Sequence, residues 1–408
     1  MERLRGSFSL ADAGQATSNS RSLMLVLGPV MQFGNRQLAA MHLTRWGEAC
    51  HREVLGNCAL WCDMNLPGKA FEVEAVPVCM LCNGPARPVY DGLVDRLFGA
   101  PGTWSVSTCS DCGLAWLNPR PRAHSLAKAY EQYHTHHTDG NDTFLNRLRE
   151  KTRLALYSTL DGYEGLAAGW GWRRLGSLLA VVPFVREIAR VGTMELSSVG
   201  RGKLLDVGCG AGRFLDLMRK ADWEVFGVEP DARAARTAES LLGVPITVGS
   251  VSDARFPDDY FDAVTLNHVL EHVYDPLDLI RECLRVLRPE GRLVIVTPNL
   301  ESLGHTHFRS IWRGLEPPRH LYLFSMRALR SCSDKAGLRI LSLYTTPRLA
   351  WRIFLESQAG RGARWASLAR ALLFQIREGA LLRRHPEVGE EIVLRGTKAS
   401  TQWQSRVV

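Results

Sequence analysis

The chain has 408 residues, 46% hydrophobic and 23% charged, with 50 Lys and Arg against 42 Asp and Glu and a formal charge of +8. The length points to two domains with connecting helices, and the apolar share is enough for a sizeable core. Ten cysteines, four of them in two C-x-x-C pairs, fit a reducing compartment with a metal site and argue against a disulfide scaffold.

Residues 1–66 read as a poorly structured leader, dominated at first by Ser, Ala, Gly and Asn. The apolar run Leu23–Phe33 is too short for a membrane-spanning helix, although Arg3 and Arg5 precede it as in a signal peptide. His42, Cys50, His51, Cys58 and Cys62 show no metal-ligand spacing. Met64 opens M-N-L-P-G-K just ahead of recognisable structure and is a candidate translation start.

Residues 67–121 carry Cys79-Met-Leu-Cys82 and Cys109-Ser-Asp-Cys112, with 26 residues between the pairs. Two such knuckles place four thiolates tetrahedrally around Zn²⁺, and Gly84 and Gly113 let backbone turns approach the sulfurs. Four Cys ligands leave no open coordination position, so the expected zinc is structural. The stretch with Val89, Trp104 and Val106 supplies short strands of a zinc ribbon.

Residues 122–199 read as a helical connector. Phe144, Leu145, Leu148, Leu154, Leu156 and Leu160 recur near helical spacing after the cap signal Asn141-Asp142-Thr143. His134, His136 and His137 have no carboxylate or Cys partner nearby and are assigned to a solvated linker. Leu175–Val191 is apolar, has Arg173 and Arg174 just before it and Arg186 and Arg190 within it, and is broken by Pro183, which predicts a helix pair or an interfacial segment.

Residues 200–408 begin with K-L-L-D-V-G-C-G-A-G-R-F-L over Lys203–Leu215. This is a buried strand, a tight glycine turn and a helix start, an arrangement over which ligands sit in open α/β sheets. The spacing is G-x-G-x-G, with Arg213 where a dinucleotide fingerprint has its third glycine. Glu229 follows 23 residues after Asp206 and ends the next strand, where an acidic side chain binds ribose hydroxyls. The site therefore suits a nucleoside without a pyrophosphate. Further strands are expected at Phe261–Leu266, Leu293–Thr297 and Leu338–Tyr344. Capped helices are expected after Asp231, after Asp275-Pro276 (ending at Pro289-Gly291) and from Ser325 to Gly337. Alternation of strand and helix predicts an α/β Rossmann-like, mostly parallel sheet with helices on both faces. The strand Glu391–Lys398 returns after a basic helical insertion at 348–387, whose residues 348–385 hold eight Arg against two Glu.

D-V-G-C-G-A-G, V-E-P and L-N-H-V-L-E-H-V together resemble the class I S-adenosylmethionine-dependent methyltransferases, over roughly residues 200–347 plus the returning strand. C-S-D-C-G-L-A-W-L-N-P-R-P resembles the cysteine-rich head of one bacterial subgroup that includes sugar C-methyltransferases. The resemblance implies an antiparallel last strand and a head that packs on the catalytic domain. It implies cofactor contacts by Asp206, Gly208, Cys209, Gly210, Gly212, Glu229, Pro230, Asn267 and His268. A nucleophile that carries a proton also needs a base. Candidates are His268, Glu271 and His272 after the fourth strand, and His305, His307, Arg319, His320 and Tyr322 after the fifth. The resemblance places His268 near the methyl donor, has Glu271 brace the loop and closes P-P-R-H-L over the site. His320 is the first choice as base, with His268 second and Tyr322 beside them.

The N/D-P-P-Y/F pattern of amino methylation and the Pro-Cys dipeptide of cytosine-C5 methylation are both absent. A small acceptor is preferred: a nucleotide-linked sugar, a glycan precursor or a quinone-like metabolite. A zinc-ribbon RNA methyltransferase is one alternative, since the positive charge and the zinc head suit RNA. A non-catalytic cofactor-binding interaction module is the other. The basic helices 348–387 are candidates for a peripheral membrane or protein contact, or a solvated helix pair. Cytosolic cofactor and thiolate ligands argue for a cytoplasmic protein.

Overall fold

The computed structural model describes residues 71–130, 143–166, 169–197, 201–358 and 364–398. Expectations for residues 1–66 and for His134, His136 and His137 lie outside the described residues. No described helix is long and apolar enough to cross a membrane.

The cysteine-rich segment gives β1 (Val73–Glu74), β2 (Ala86–Leu93), β3 (Trp104–Cys109), β4 (Ala115–Leu117) and β5 (Arg120–Pro121), then the short helix α1 (Ala123–Leu126). The connector forms α2 (Phe144–Leu160), α3 (Trp170–Leu179) and α4 (Pro183–Gly192). Thr143 caps α2 by accepting from Asn146 N at 3.2 Å, and Pro183 opens α4 where a missing N–H costs nothing.

The alternating segment gives β6 (Lys203–Val207), α5 (Arg213–Lys220), β7 (Glu224–Glu229), α6 (Ala232–Leu242), β8 (Thr247–Val248), α7 (Val251–Ala254), β9 (Phe261–Asn267) and α8 (Pro276–Val286). It continues with β10 (Leu287–Pro298), α9 (Leu303–Phe308), β11 (Tyr322–Leu323), α10 (Met326–Ala336), β12 (Leu338–Thr346), α11 (Ala350–Ser357), α12 (Arg364–Leu381) and β13 (Glu391–Lys398). Asp231, Asp275 and Ser325 each accept a backbone N–H as N-caps, and Gly243 and Gly337 end α6 and α10 with φ of +68° and +88°.

Seven strands form one sheet in the order β12-β13-β10-β9-β6-β7-β8. Neighbours from β10 through β8 pair in parallel, while β13 is antiparallel to both β10 and β12. This is the Rossmann-like sheet with an antiparallel last strand that the sequence implied. Both α11 and α12 lie between β12 and β13. Side chains alternate across the sheet. Leu205, Val264, Ile295 and Leu394 join a core with Trp104, Trp116 and α8 residues, whereas Leu204, Ala263, Val294 and Val393 join a core with α2, α4, α5 and α6. The cysteine-rich segment therefore covers one face of the sheet and the connector the other.

Two boundaries differ from the expectation. Helix α8 ends at Val286, and Pro289 to Gly291 fall inside β10, at a register shift between Leu287 and Arg292. Tyr322–Leu323, expected over the catalytic site, instead pairs with Trp116 and Ala115 as the outer strand of a second sheet, β11-β4-β3-β2. A two-residue strand without a local partner carries no spacing signal for such a distant pairing.

Candidate active site

Strand β6 delivers the glycine turn to the carboxyl edge of the sheet. Gly208, Gly210 and Gly212 have φ of +69°, +54° and +79°, conformations that a Cβ disfavours. A Cβ on Gly208 would meet Val269 Cγ2 at 2.6 Å and one on Gly212 would meet Ala238 Cβ at 2.8 Å, but one on Gly210 would meet nothing within 4 Å. The outer glycines are needed for packing, and the middle one borders open space where a ligand can approach the backbone. Gly208 N and Cys209 N both donate to Val228 O, at 2.8 and 3.2 Å, which ties the turn to β7.

Glu229 ends β7 beside this turn. Its Oε2 accepts from Gly210 N at 2.8 Å and its Oε1 from Asp231 N at 3.0 Å. Behind it, buried Asp206 accepts from Thr265 Oγ1 at 2.7 Å. Burial pushes the Asp206 carboxyl up to about 7, opposed by Thr265 and reinforced by the Glu229 charge. Cys209 is buried, while Pro230 and Asn267 are exposed at the rim. The nine residues expected to contact cofactor thus surround one strand edge.

The loop after β9 adjoins this edge through the Val269–Gly208 contact. His268 N donates to Val296 O at 2.8 Å with φ +57°, so the residue turns sharply out of the strand. Its Nδ1 lies 3.2 Å from Glu271 Oε1 and its Nε2 lies 2.7 Å from Glu391 Oε1. Two carboxylates can only accept, so both ring nitrogens carry protons. Burial pulls the His268 pKa down, but these hydrogen bonds and charges outweigh it and raise the value to about 9.

Glu271 is fully buried and also accepts from Thr297 Oγ1 at 3.0 Å. Arg348 grips Glu391 with Nε at 2.8 Å and Nη2 at 2.7 Å. Burial raises both carboxylates, yet His268 at Glu271 and Arg348 at Glu391 bring them to about 2. The network holds two cations and two anions, so it adds no net charge beside the glycine turn. Sequence reasoning missed Glu391 and Arg348. They bracket the insertion, more than 75 residues from His268, and the only cue was an acidic residue opening an apolar strand.

The P-P-R-H-L segment lies between the head and this loop. Leu321 N donates to Glu271 O at 2.8 Å and Leu117 N to Leu321 O at 3.0 Å. Arg319 is fully buried and pairs with Asp95 and Glu316, both at 2.9 Å. His320 is 5% exposed, and its Nδ1 donates to Gly314 O at 2.7 Å. Burial depresses its pKa to about 4, against the charge of Glu316. Ring nitrogens of His272 and His320 and an oxygen of Glu271 come within 4.8 Å of one another. The Tyr322 hydroxyl accepts from Arg120 Nη1 at 2.9 Å and donates to Tyr274 O at 3.2 Å, inside the head sheet. The structure sets the His268 loop against the glycine turn through Val269, joins the His268 and Glu271 side chains to Glu391 and Thr297, and seats His320 and Tyr322 in buried contacts with Gly314, Arg120 and Tyr274.

The four head cysteines converge. Cys79 and Cys112 Sγ are 3.4 Å apart, Cys82 and Cys109 Sγ 3.3 Å, and all four lie within 4.8 Å of one another. A disulfide requires about 2.05 Å, whereas thiolates about 2.3 Å from a tetrahedral zinc sit about 3.8 Å apart. A Cβ on Gly84 would fall 2.9 Å from Cys109 Sγ and 3.3 Å from Cys82 Sγ, so this position needs glycine for the sulfurs to close. The donor set fits a four-thiolate zinc.

A family model for a methyltransferase domain matches residues 183–343. The ubiquinone biosynthesis O-methyltransferase of Xanthomonas oryzae pv. oryzae is 38% identical over 151 residues, covering 35% of this chain and 61% of that protein. An uncharacterized 37.1 kDa protein in transposon TN4556 of Streptomyces fradiae is 36% identical over 106 residues, covering 24% of this chain and 31% of that protein. The chain thus spans less than two thirds of these relatives. A crystal structure of a SAM-dependent methyltransferase from Archaeoglobus fulgidus aligns over 49% of this chain and 87% of that one, at 20% identity and a TM-score of 0.36. The matched segment runs from α4 through β12 and contains the glycine turn and Glu229, so residues 183–343 are similar to a methyltransferase domain.

Proposed function

We propose that the protein transfers a methyl group from S-adenosylmethionine to a hydroxyl of a small, quinone-like metabolite. The observation that carries this reading is the juxtaposition of the Gly208–Gly212 turn, Glu229 and the His268 loop at one strand edge. The turn backbone, open beside Gly210, would border the methionine end, and Glu229 would bind the ribose hydroxyls in exchange for its hydrogen bonds from Gly210 N and Asp231 N. The cofactor supplies an electrophilic methyl on a sulfonium, and the in-line displacement needs mainly alignment from the protein.

A hydroxyl acceptor must also lose a proton. His268, 30% exposed, is the candidate over His320, which is buried against Gly314, and it can act only as the neutral ring, after losing one of the two protons it donates to Glu271 and Glu391. Glu271 and Glu391 hold the imidazole in place. A base with a pKa near 9 matches a phenolic hydroxyl better than an alcohol of a sugar, and the ubiquinone-pathway relative points the same way. Cys79, Cys82, Cys109 and Cys112 hold a structural zinc in a head of residues 67–121, ahead of the connector 122–199 and the catalytic segment 200–408.

Incubating the purified protein with isotope-labelled cofactor and separate panels of catechols, hydroxyquinones, nucleotide sugars and RNA tests the reading. Labelled methyl on the phenolic panel is the expected result. Transfer only to sugars or RNA overturns the acceptor assignment, and cofactor binding without transfer to any panel makes the protein a binding module.

A further inference from the structure

Helix α12 turns the wrong residues outward for a solvated helix. Its inner face buries Ala371, Phe374, Gln375 and Glu378. Its outer face carries Leu372, Leu373 and Ile376, exposed at 60, 65 and 60%. On a helix these three fall within about one third of the circumference, forming a single apolar stripe.

Charge along the stripe has one sign. Arg370 and Arg377 are exposed on its flank, and Arg383 and Arg384 are exposed just past the helix end. The helix has a single acidic residue, Glu378, which is fully buried and whose Oε1 accepts from Glu390 N at 2.8 Å. A protein partner of ordinary mixed charge needs no such bias. A surface with anionic headgroups above an apolar layer matches both features at once.

A second segment repeats the composition. At the α3–α4 junction Leu178 and Val181 are each 71% exposed, with Arg173, Arg174 and Arg186 also exposed.

We propose that α12 docks the protein on an anionic lipid surface. The aliphatic stripe enters the headgroup boundary and the arginines pair with lipid phosphates. The inference stands apart from the acceptor assignment, because it uses no residue of the methyl-transfer site.

Vesicle flotation with the full chain tests it, using phosphatidylcholine vesicles with and without phosphatidylglycerol. Expected is binding to the phosphatidylglycerol vesicles alone, weakened by high salt as surface charges are screened. Leu372→Ser/Ile376→Ser and, separately, Arg370→Glu/Arg377→Glu should each reduce the bound fraction at least tenfold. Circular dichroism and cofactor affinity should stay unchanged, since these side chains are exposed. Absence of flotation with either vesicle overturns the proposal. So does a homodimer in sedimentation equilibrium that Leu372→Ser/Ile376→Ser dissociates without any vesicle binding by the parent chain.

Discussion

Replacing Glu391 by Gln is the most informative perturbation of the site. Glu391 supplies the shorter of the two His268 hydrogen bonds, 2.7 Å against 3.2 Å from Glu271. Raising His268 from 6.5 to about 9 corresponds to about 3 kcal/mol of preference for the charged ring. Solvent at its 30% exposed side chain discounts that to about 2 kcal/mol. The raised value means that this stabilisation is complete below pH 6.5 and is lost as pH rises through about 9. If neutral His268 takes the acceptor proton, kcat/KM should climb with pH to a limb near 9. In Glu391→Gln that limb should move down by about 1–2 pH units, the usual effect of one adjacent charge. Glu391→Asp, which keeps the charge, should leave it near the parent position. The substitution also strands Arg348 in a buried setting, at a cost of about 3–5 kcal/mol in stability. The double variant Arg348→Met/Glu391→Gln should recover much of the thermal stability while keeping the shifted limb. A limb that stays near 9 in both Gln variants refutes the assignment of His268 as the titrating base.

Four further outcomes follow from the same geometry. Glu229→Ala removes charge-assisted hydrogen bonds worth about 2–3 kcal/mol, so calorimetry should show at least a tenfold loss of cofactor affinity. Cys82→Ser should release one zinc per chain by elemental analysis and lower the unfolding temperature of the head, since a structural metal contributes folding energy directly. Gly212→Ala forces a Cβ to 2.8 Å from Ala238 Cβ at φ +79°, and denaturant melts should register a loss of about 1–3 kcal/mol. His320, buried with a pKa near 4, binds its proton in the unfolded chain first, so stability should fall as pH drops from 6.5 toward 4. His320→Gln should flatten that acid loss and keep turnover within about tenfold of the parent, and a far larger rate loss returns His320 to the role of base.

Local sequence decided a good deal. The strand–glycine–helix unit at 203–215 was legible because a buried strand, positive-φ glycines and a helix start are all short-range features. The caps at Asp231, Asp275 and Ser325 and the stops at Gly243 and Gly337 are of the same kind, each a contact within one turn of helix. The two C-x-x-C pairs announced their convergence because a thiolate site needs ligands at short, fixed spacing. The antiparallel return of Glu391–Lys398 came with the resemblance that these local pieces established.

Tertiary structure decided what the local pieces face. Glu391 and Arg348 reach His268 across an insertion, and only the β12–β13–β10 pairing carries them there. Tyr322 has the chemistry of a catalytic residue, but its strand completes the head sheet, where Arg120 and Tyr274 take up its hydroxyl. His320 and His268 look equivalent as letters. One ends against Gly314 O in a dry interior and the other between two carboxylates at the sheet edge, and that difference moves their pKa values in opposite directions. Proton affinity is set by burial and by charges within a few ångströms, and neither the burial of His320 nor the approach of Glu391 to His268 leaves a trace in the local pattern.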